Sequence, residues 1–67
     1  MIQEHQQRVI TEYAELHERT LKLGNFFGTK EFADLDKAEQ DRLNRQWQIM
    51  QQLGLVLSEQ ISTFKSV

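Results

Sequence analysis

Two stretches of the chain repeat mostly apolar residues at alternating intervals of four and three, and a short segment with a glycine separates them. The first stretch contains Ile2, Gln6, Val9, Tyr13, Leu16, Thr20, Leu23 and Phe27. The second contains Leu43, Trp47, Met50, Gly54, Leu57, Ile61 and Phe64. Such spacing places one residue per turn on a single side of a helix, which is typical of two helices packed along their lengths. We call these fifteen positions the seam, and they predict an all-α antiparallel two-helix hairpin.

The length of the chain limits it to one domain, residues 1–67. We expect helix 1 over about residues 2–27, a connection with a short helical turn over 28–36, and helix 2 over about 37–64. Glycines at positions 24 and 28 both offer a stop for helix 1, and the continued seam favours the later one. A hairpin of this size buries little surface, and the absence of cysteine excludes disulfides as a stabiliser.

Local signals support these boundaries. Thr29 can cap a helical turn that carries Phe32 and Leu35 to the end of the hairpin, while Asp36 and Glu39 form a capping-box pattern at the start of helix 2. Pairs of opposite charge four residues apart are expected to support the helices. They are Glu4 with Arg8, Glu15 with Arg19, Glu18 with Lys22, and Asp41 with Arg45.

Each helix carries a second apolar row beside its seam. The row on helix 1 contains Ile10, Ala14, His17 and Leu21, and the row on helix 2 contains Ile49, Leu53, Val56 and Gln60. A monomeric hairpin covers one row per helix, and large exposed apolar patches usually mark interfaces. We therefore expect the hairpin to self-associate into a helical bundle, with the apolar members of these rows and His17 as interface residues.

The motifs of catalysis and metal binding are absent. The chain has no cysteine, two histidines in neither HExxH nor Glu-x-x-His spacing, and no phosphate-binding glycine loop. We expect no enzyme activity, no catalytic or metal-binding residues and no cofactor. A net charge of −2 gives no general reason for nucleic-acid binding. Without an apolar run long enough to span a bilayer or a signal-peptide pattern at the N-terminus, we expect a cytoplasmic protein with no membrane partner.

Binding is the function class that remains. Tyr13, Thr29 and Lys30 offer an aromatic ring, a hydroxyl and an amine to a nucleotide base and its phosphate. Gly54 on the seam allows either a close approach of the helices or room for a ligand. Arg42 and Arg45 offer a basic patch for RNA, although the neighbouring acidic residues dilute it.

The chain also resembles a family of short tailed-phage proteins known from crAss-like and many other phages. The resemblance rests on Gln7-Arg8-Val9-Ile10, Glu12, Glu15-Leu16, Lys22-Leu23, Phe26, Phe32, Leu35, Gln46, Met50, Leu57, Ile61 and Phe64. Tyr13 and Leu53 depart from it, since the family pattern has a lysine and an aromatic residue there.

The resemblance implies a small non-enzymatic phage or prophage protein that acts in a bacterial host. It favours a host-interaction or anti-defence factor that binds a host protein. The alternatives are an oligomeric sponge that sequesters a nucleotide immune signal and an RNA-binding helical-hairpin dimer.

Overall fold

The computed structural model describes residues 3–64, and over this range the chain is all-α. Helix α1 spans Glu4–Phe26, the short helix α2 spans Lys30–Ala33, and α3 spans Lys37–Ser62. The two long helices pack against each other in a hairpin 51 Å long and about 15 Å wide. The predicted hairpin with a helical turn in its connection is confirmed, and Ile2 of the seam lies outside the described residues.

The helix boundaries follow from the predicted caps. The Thr29 hydroxyl accepts the backbone N–H of Phe32 at 3.2 Å, and the Asp36 carboxylate accepts that of Glu39 at 2.8 Å. The capping box at α3 is only half present, because the Glu39 carboxylate instead accepts a charge-assisted bond from Arg42 Nε at 2.8 Å. Helix α1 continues through Gly24 and ends at Phe26, close to the expected position.

Ion pairs on the outer faces match the prediction in part. The three predicted pairs of α1 are present at N–O distances between 3.0 and 3.4 Å. The predicted pair of Asp41 with Arg45 is wrong, since Lys37 Nζ lies 2.6 Å from the Asp41 carboxylate on the preceding turn. Arg45 therefore faces solvent without an ionic partner among the described residues.

The core is very small. Leu16 and Leu57, which both belong to the seam, are the two buried residues between positions 3 and 64, at 7% and 6% exposure. At the connection, the Phe32 ring lies edge-on to Phe27 at a centroid distance of 4.9 Å, so α2 covers that end of the hairpin as predicted. The Gln40 side-chain amide donates to the Phe32 carbonyl at 3.0 Å and ties α2 to α3.

Candidate functional site

A groove of about 580 Å³ runs along one side of the contact between α1 and α3. We call it the groove. Its walls are formed by Tyr13, Leu16, His17, Thr20, Leu21, Gly24, Asn25, Trp47, Met50, Gln51, Gly54, Leu55 and Ser58. Its volume falls within the range of roughly 300–1,000 Å³ that is usual for small-molecule sites.

Trp47 closes one end of the groove. Its indole reaches across from α3 and donates from Nε1 to the Thr20 carbonyl at 3.2 Å. A Cβ atom at Gly24 would lie 3.2 Å from the same Nε1, which is tighter than ordinary contact. Phe27 supports the indole from the other side, edge-on at a centroid distance of 5.7 Å. Gly24 is therefore the residue that lets the indole lie against α1.

The opposite end of the groove carries an aromatic pair on α1. The rings of Tyr13 and His17 are stacked, with centroids 6.0 Å apart and planes inclined by 19°. His17 is exposed and Tyr13 is half-buried. Rings held nearly parallel beside a concavity offer a flat surface on which a further planar group can stack.

Gly54 lies between these two ends on α3. A Cβ atom built there would meet only Leu16 Cδ2, at the ordinary contact distance of 3.9 Å. Close backbone approach therefore does not require glycine at this position. Of the two uses that the sequence allows for Gly54, room beside the seam fits this geometry.

The two helical glycines thus predict opposite responses to alanine. We expect Gly54→Ala to raise the free energy of unfolding by up to about 1 kcal/mol, since alanine is the better helix former and fits the space. Gly24→Ala should give no such gain, because its methyl group would displace the packed indole of Trp47. Urea unfolding followed by circular dichroism at one protein concentration measures both. Equal gains at the two positions would contradict the contact between Gly24 and Trp47.

The lining of the groove carries no Lys, Arg, Asp or Glu side chain. Its polar groups are neutral hydroxyls and amides, chiefly those of Tyr13, Asn25, Gln51 and Ser58, and the imidazole of His17. Apolar walls with a few neutral hydrogen-bonding groups suit an uncharged planar ring system better than a bare phosphate.

The predicted ligand residues are not all brought together within one protomer. Tyr13 lines the groove, whereas Thr29 and Lys30 lie at the start of α2, more than roughly 20 Å away along the axis of α1. The Thr29 hydroxyl is also engaged, since it donates to the Phe26 carbonyl at 2.6 Å besides capping α2. A small ligand that contacts Tyr13 in the groove therefore does not reach the other two residues of the same chain.

The predicted interface rows lie on different sides of the hairpin. His17 and Leu21 border the groove, and Ile10 and Ala14 precede them in the same row of α1. On α3, the groove is lined by Gln51 and Leu55. At 100° per residue, the apolar row of α3 lies at least about 100° around the helix from those two positions. That row, Ile49, Leu53 and Val56, therefore turns away from the groove.

The two arginines of the predicted RNA patch differ in their ionic contacts. Arg42 forms an ion pair with Glu39, whereas Arg45 has no ionic partner among the described residues. The two arginines border a shallow concavity of about 350 Å³ beside Ile49.

Between residues 3 and 64, no group of three metal-ligating side chains is present, and no helix is long and apolar enough to cross a membrane.

The sequence placed Trp47 and Gly54 on the seam, with room for a ligand as one of two uses of Gly54, and it did not indicate Gln51 or Ser58 as ligand residues. Their common signal is position, since Trp47 and Gly54 belong to the seam and Gln51 and Ser58 lie beside it on α3. The glycine on the seam was the one available sign that space exists there.

Together, these features define a small helical-hairpin protein with a groove between its two long helices that no Lys, Arg, Asp or Glu side chain lines. Over residues 3–62 the chain matches the model of the Sequestin family. Because this match covers most of its length, the chain belongs to the Sequestin family. No curated protein and no solved structure matches the chain.

Proposed function

We propose that the protein sequesters a nucleotide signal, holding the base in the groove between α1 and α3. The observation that carries the proposal is the groove itself, which is concave, has no Lys, Arg, Asp or Glu in its lining, and leaves space for a ligand at Gly54. The family name, Sequestin, supports a binding role over a catalytic one. A phage or prophage protein that removes a host immune signal is the setting that we propose for this activity.

The chemistry of the lining suggests how a nucleotide would lie. Its base would stack beside the paired rings of Tyr13 and His17 and receive hydrogen bonds from neutral groups such as Gln51 and Ser58. Its phosphates would project from the groove toward solvent or a neighbouring subunit, because the lining offers no Lys or Arg. Binding without bond cleavage fits a sponge, which acts by lowering the free concentration of its ligand.

Native mass spectrometry of the protein purified from cells with an active nucleotide-based defence tests the proposal. We expect one bound small molecule per groove, with the ultraviolet absorbance of a nucleobase after release. Recovery of the protein with every groove empty, under conditions in which the signal is produced, would contradict it.

Two pairs of variants place that ligand. Gly54→Leu should abolish co-purification by filling the groove, whereas Gln52→Leu, two residues away on the exposed outer side of α3, should not. Tyr13→Phe should retain the ligand through stacking. Tyr13→Ala should weaken binding of the ligand by a factor between about 5 and 150, since stacking on an aromatic side chain is worth about 1–3 kcal/mol. Circular dichroism verifies that each variant is helical. Equal retention by Gly54→Leu and Gln52→Leu would move the site away from the groove.

Binding of a host defence protein is the second candidate function. The apolar row of α1 supports it, because Leu21 is 56% exposed and continues along the edge of the groove. The same purification separates the candidates, since a stoichiometric polypeptide in place of a small molecule would favour this one. RNA binding through Arg42 and Arg45 is less well supported, because Glu39 neutralises the first arginine.

A further inference from the structure

The outer side of α3 carries an exposed row that the groove does not use. Its members, Gln46, Ile49, Leu53, Val56 and Gln60, follow intervals of three, four, three and four, the spacing of a helix-packing seam. We call it the outer row. The three apolar members are 62%, 44% and 51% exposed in chain order. The row ends toward the N-terminus at Arg42, which is charged and paired with Glu39.

Two opposite charges flank the outer row along the same edge. Arg45 precedes Gln46 and Glu59 precedes Gln60, so the two are fourteen residues and roughly 21 Å apart along the helix. Neither has an ionic partner within the described part of the chain, although five other ion pairs are formed there. Gln52 lies midway between them on that edge. The edge is therefore positive at one end, neutral in the middle and negative at the other end.

We propose that the outer row is the contact with a second copy of this chain, packed antiparallel about a twofold axis at Leu53. With the axis at Leu53, Gln46 is level with Gln60 of the second copy, and Ile49 lies within one residue of the level of Val56. It also brings Arg45 within two residues, or about 3 Å along the axis, of the level of Glu59 of the second copy at both ends of the contact, a distance that the long side chains span. A parallel arrangement would place like charges at the same level, so only the antiparallel one satisfies both ends.

The surface area of the protomer supports a second copy as the occupant. A compact monomer of 8.0 kDa is expected to expose about 4,450 Å², and this hairpin exposes 5388 Å². The surplus of about 900 Å² is close to the roughly 800 Å² that each partner contributes to a stable interface. The contact would leave each groove open on the far side of its own α3, so a dimer would carry two separate grooves. The proposal does not depend on what the grooves bind.

Engineered thiols test the direction of the contact, because the natural chain contains no cysteine. Under oxidation, Leu53→Cys is expected to form a covalent dimer. Ile49→Cys alone should form no disulfide between two chains, whereas the double variant with Val56→Cys should cross-link. Leu55→Cys is the matched control and should not cross-link, because Leu55 is as exposed as Ile49 but lies on the groove side. Cross-linking of Ile49→Cys alone would overturn the antiparallel arrangement.

Charge exchange tests the predicted pairs independently of oxidation. Arg45→Glu and Glu59→Arg should each raise the dissociation constant of the dimer about tenfold, since each turns two attractions into repulsions. The double variant Arg45→Glu with Glu59→Arg should return to within about threefold of the natural value. Sedimentation equilibrium measures the dissociation constants, and circular dichroism verifies folding. A natural chain that stays monomeric at about 100 µM would overturn the proposal. So would a double variant that dimerises no better than the single variants, or a different protein bound to the outer row.

Discussion

Replacing Leu16 by alanine should remove most of the stability of the hairpin. Leu16 is 7% exposed and lies beside Gly54, which has no side chain to fill the space that alanine leaves. Truncation of a buried leucine costs roughly 2–5 kcal/mol. A domain of this length has a total stability of only about 3–10 kcal/mol. We therefore expect Leu16→Ala to be substantially unfolded at 37 °C in circular dichroism.

Leu21→Ala is the matched control on the same helix. Leu21 is 56% exposed, so its truncation should cost about 1 kcal/mol or less. Both variants must be compared at one protein concentration, because self-association would add to the apparent stability. A loss below about 1 kcal/mol for Leu16→Ala would mean that the seam is not the core.

The fold was predictable because the seam encodes it directly. The seam identified Leu16 and Leu57 as packing residues, and both are buried. The caps at Thr29 and Asp36 were equally readable, since a hydroxyl or carboxylate before a helical stretch satisfies the free N–H groups of its first turn. The pairing of Asp41 was misassigned because Lys37 lies four residues before it and Arg45 four residues after it, and spacing alone does not choose between them.

The candidate site was less predictable, for a geometric reason. Periodicity gives the angle of a residue around its own helix but not the distance between two packed helices. That distance depends on how Trp47 lies against α1 and on the missing side chain at Gly54. Periodicity also finds two apolar rows without showing on which side of the hairpin each one lies. The structure places His17 and Leu21 of the α1 row at the groove and Leu53 away from it.

Replacing Trp47 by alanine should cost roughly 3 kcal/mol, the lower end of the range for truncating a packed aromatic residue, because the indole is half-buried. The loss would include the edge-on contact with Phe27 and the hydrogen bond to the Thr20 carbonyl. Trp47→Phe is the matched variant. It retains a ring against Phe27 and should recover all but about 1 kcal/mol, the typical value of the lost hydrogen bond. Urea unfolding followed by circular dichroism measures the series, since the natural chain has no other tryptophan to report by fluorescence.

A double-variant cycle identifies the cause of that loss. In the natural chain, Gly24→Ala should not stabilise, because its methyl group meets the indole at 3.2 Å. In the Trp47→Ala background the same change should stabilise α1 by about 1 kcal/mol, since only the helix propensity remains. The sign of Gly24→Ala should therefore depend on Trp47. An identical effect in both backgrounds would show that the indole does not lie against Gly24, and the end of the groove would then be formed by another residue.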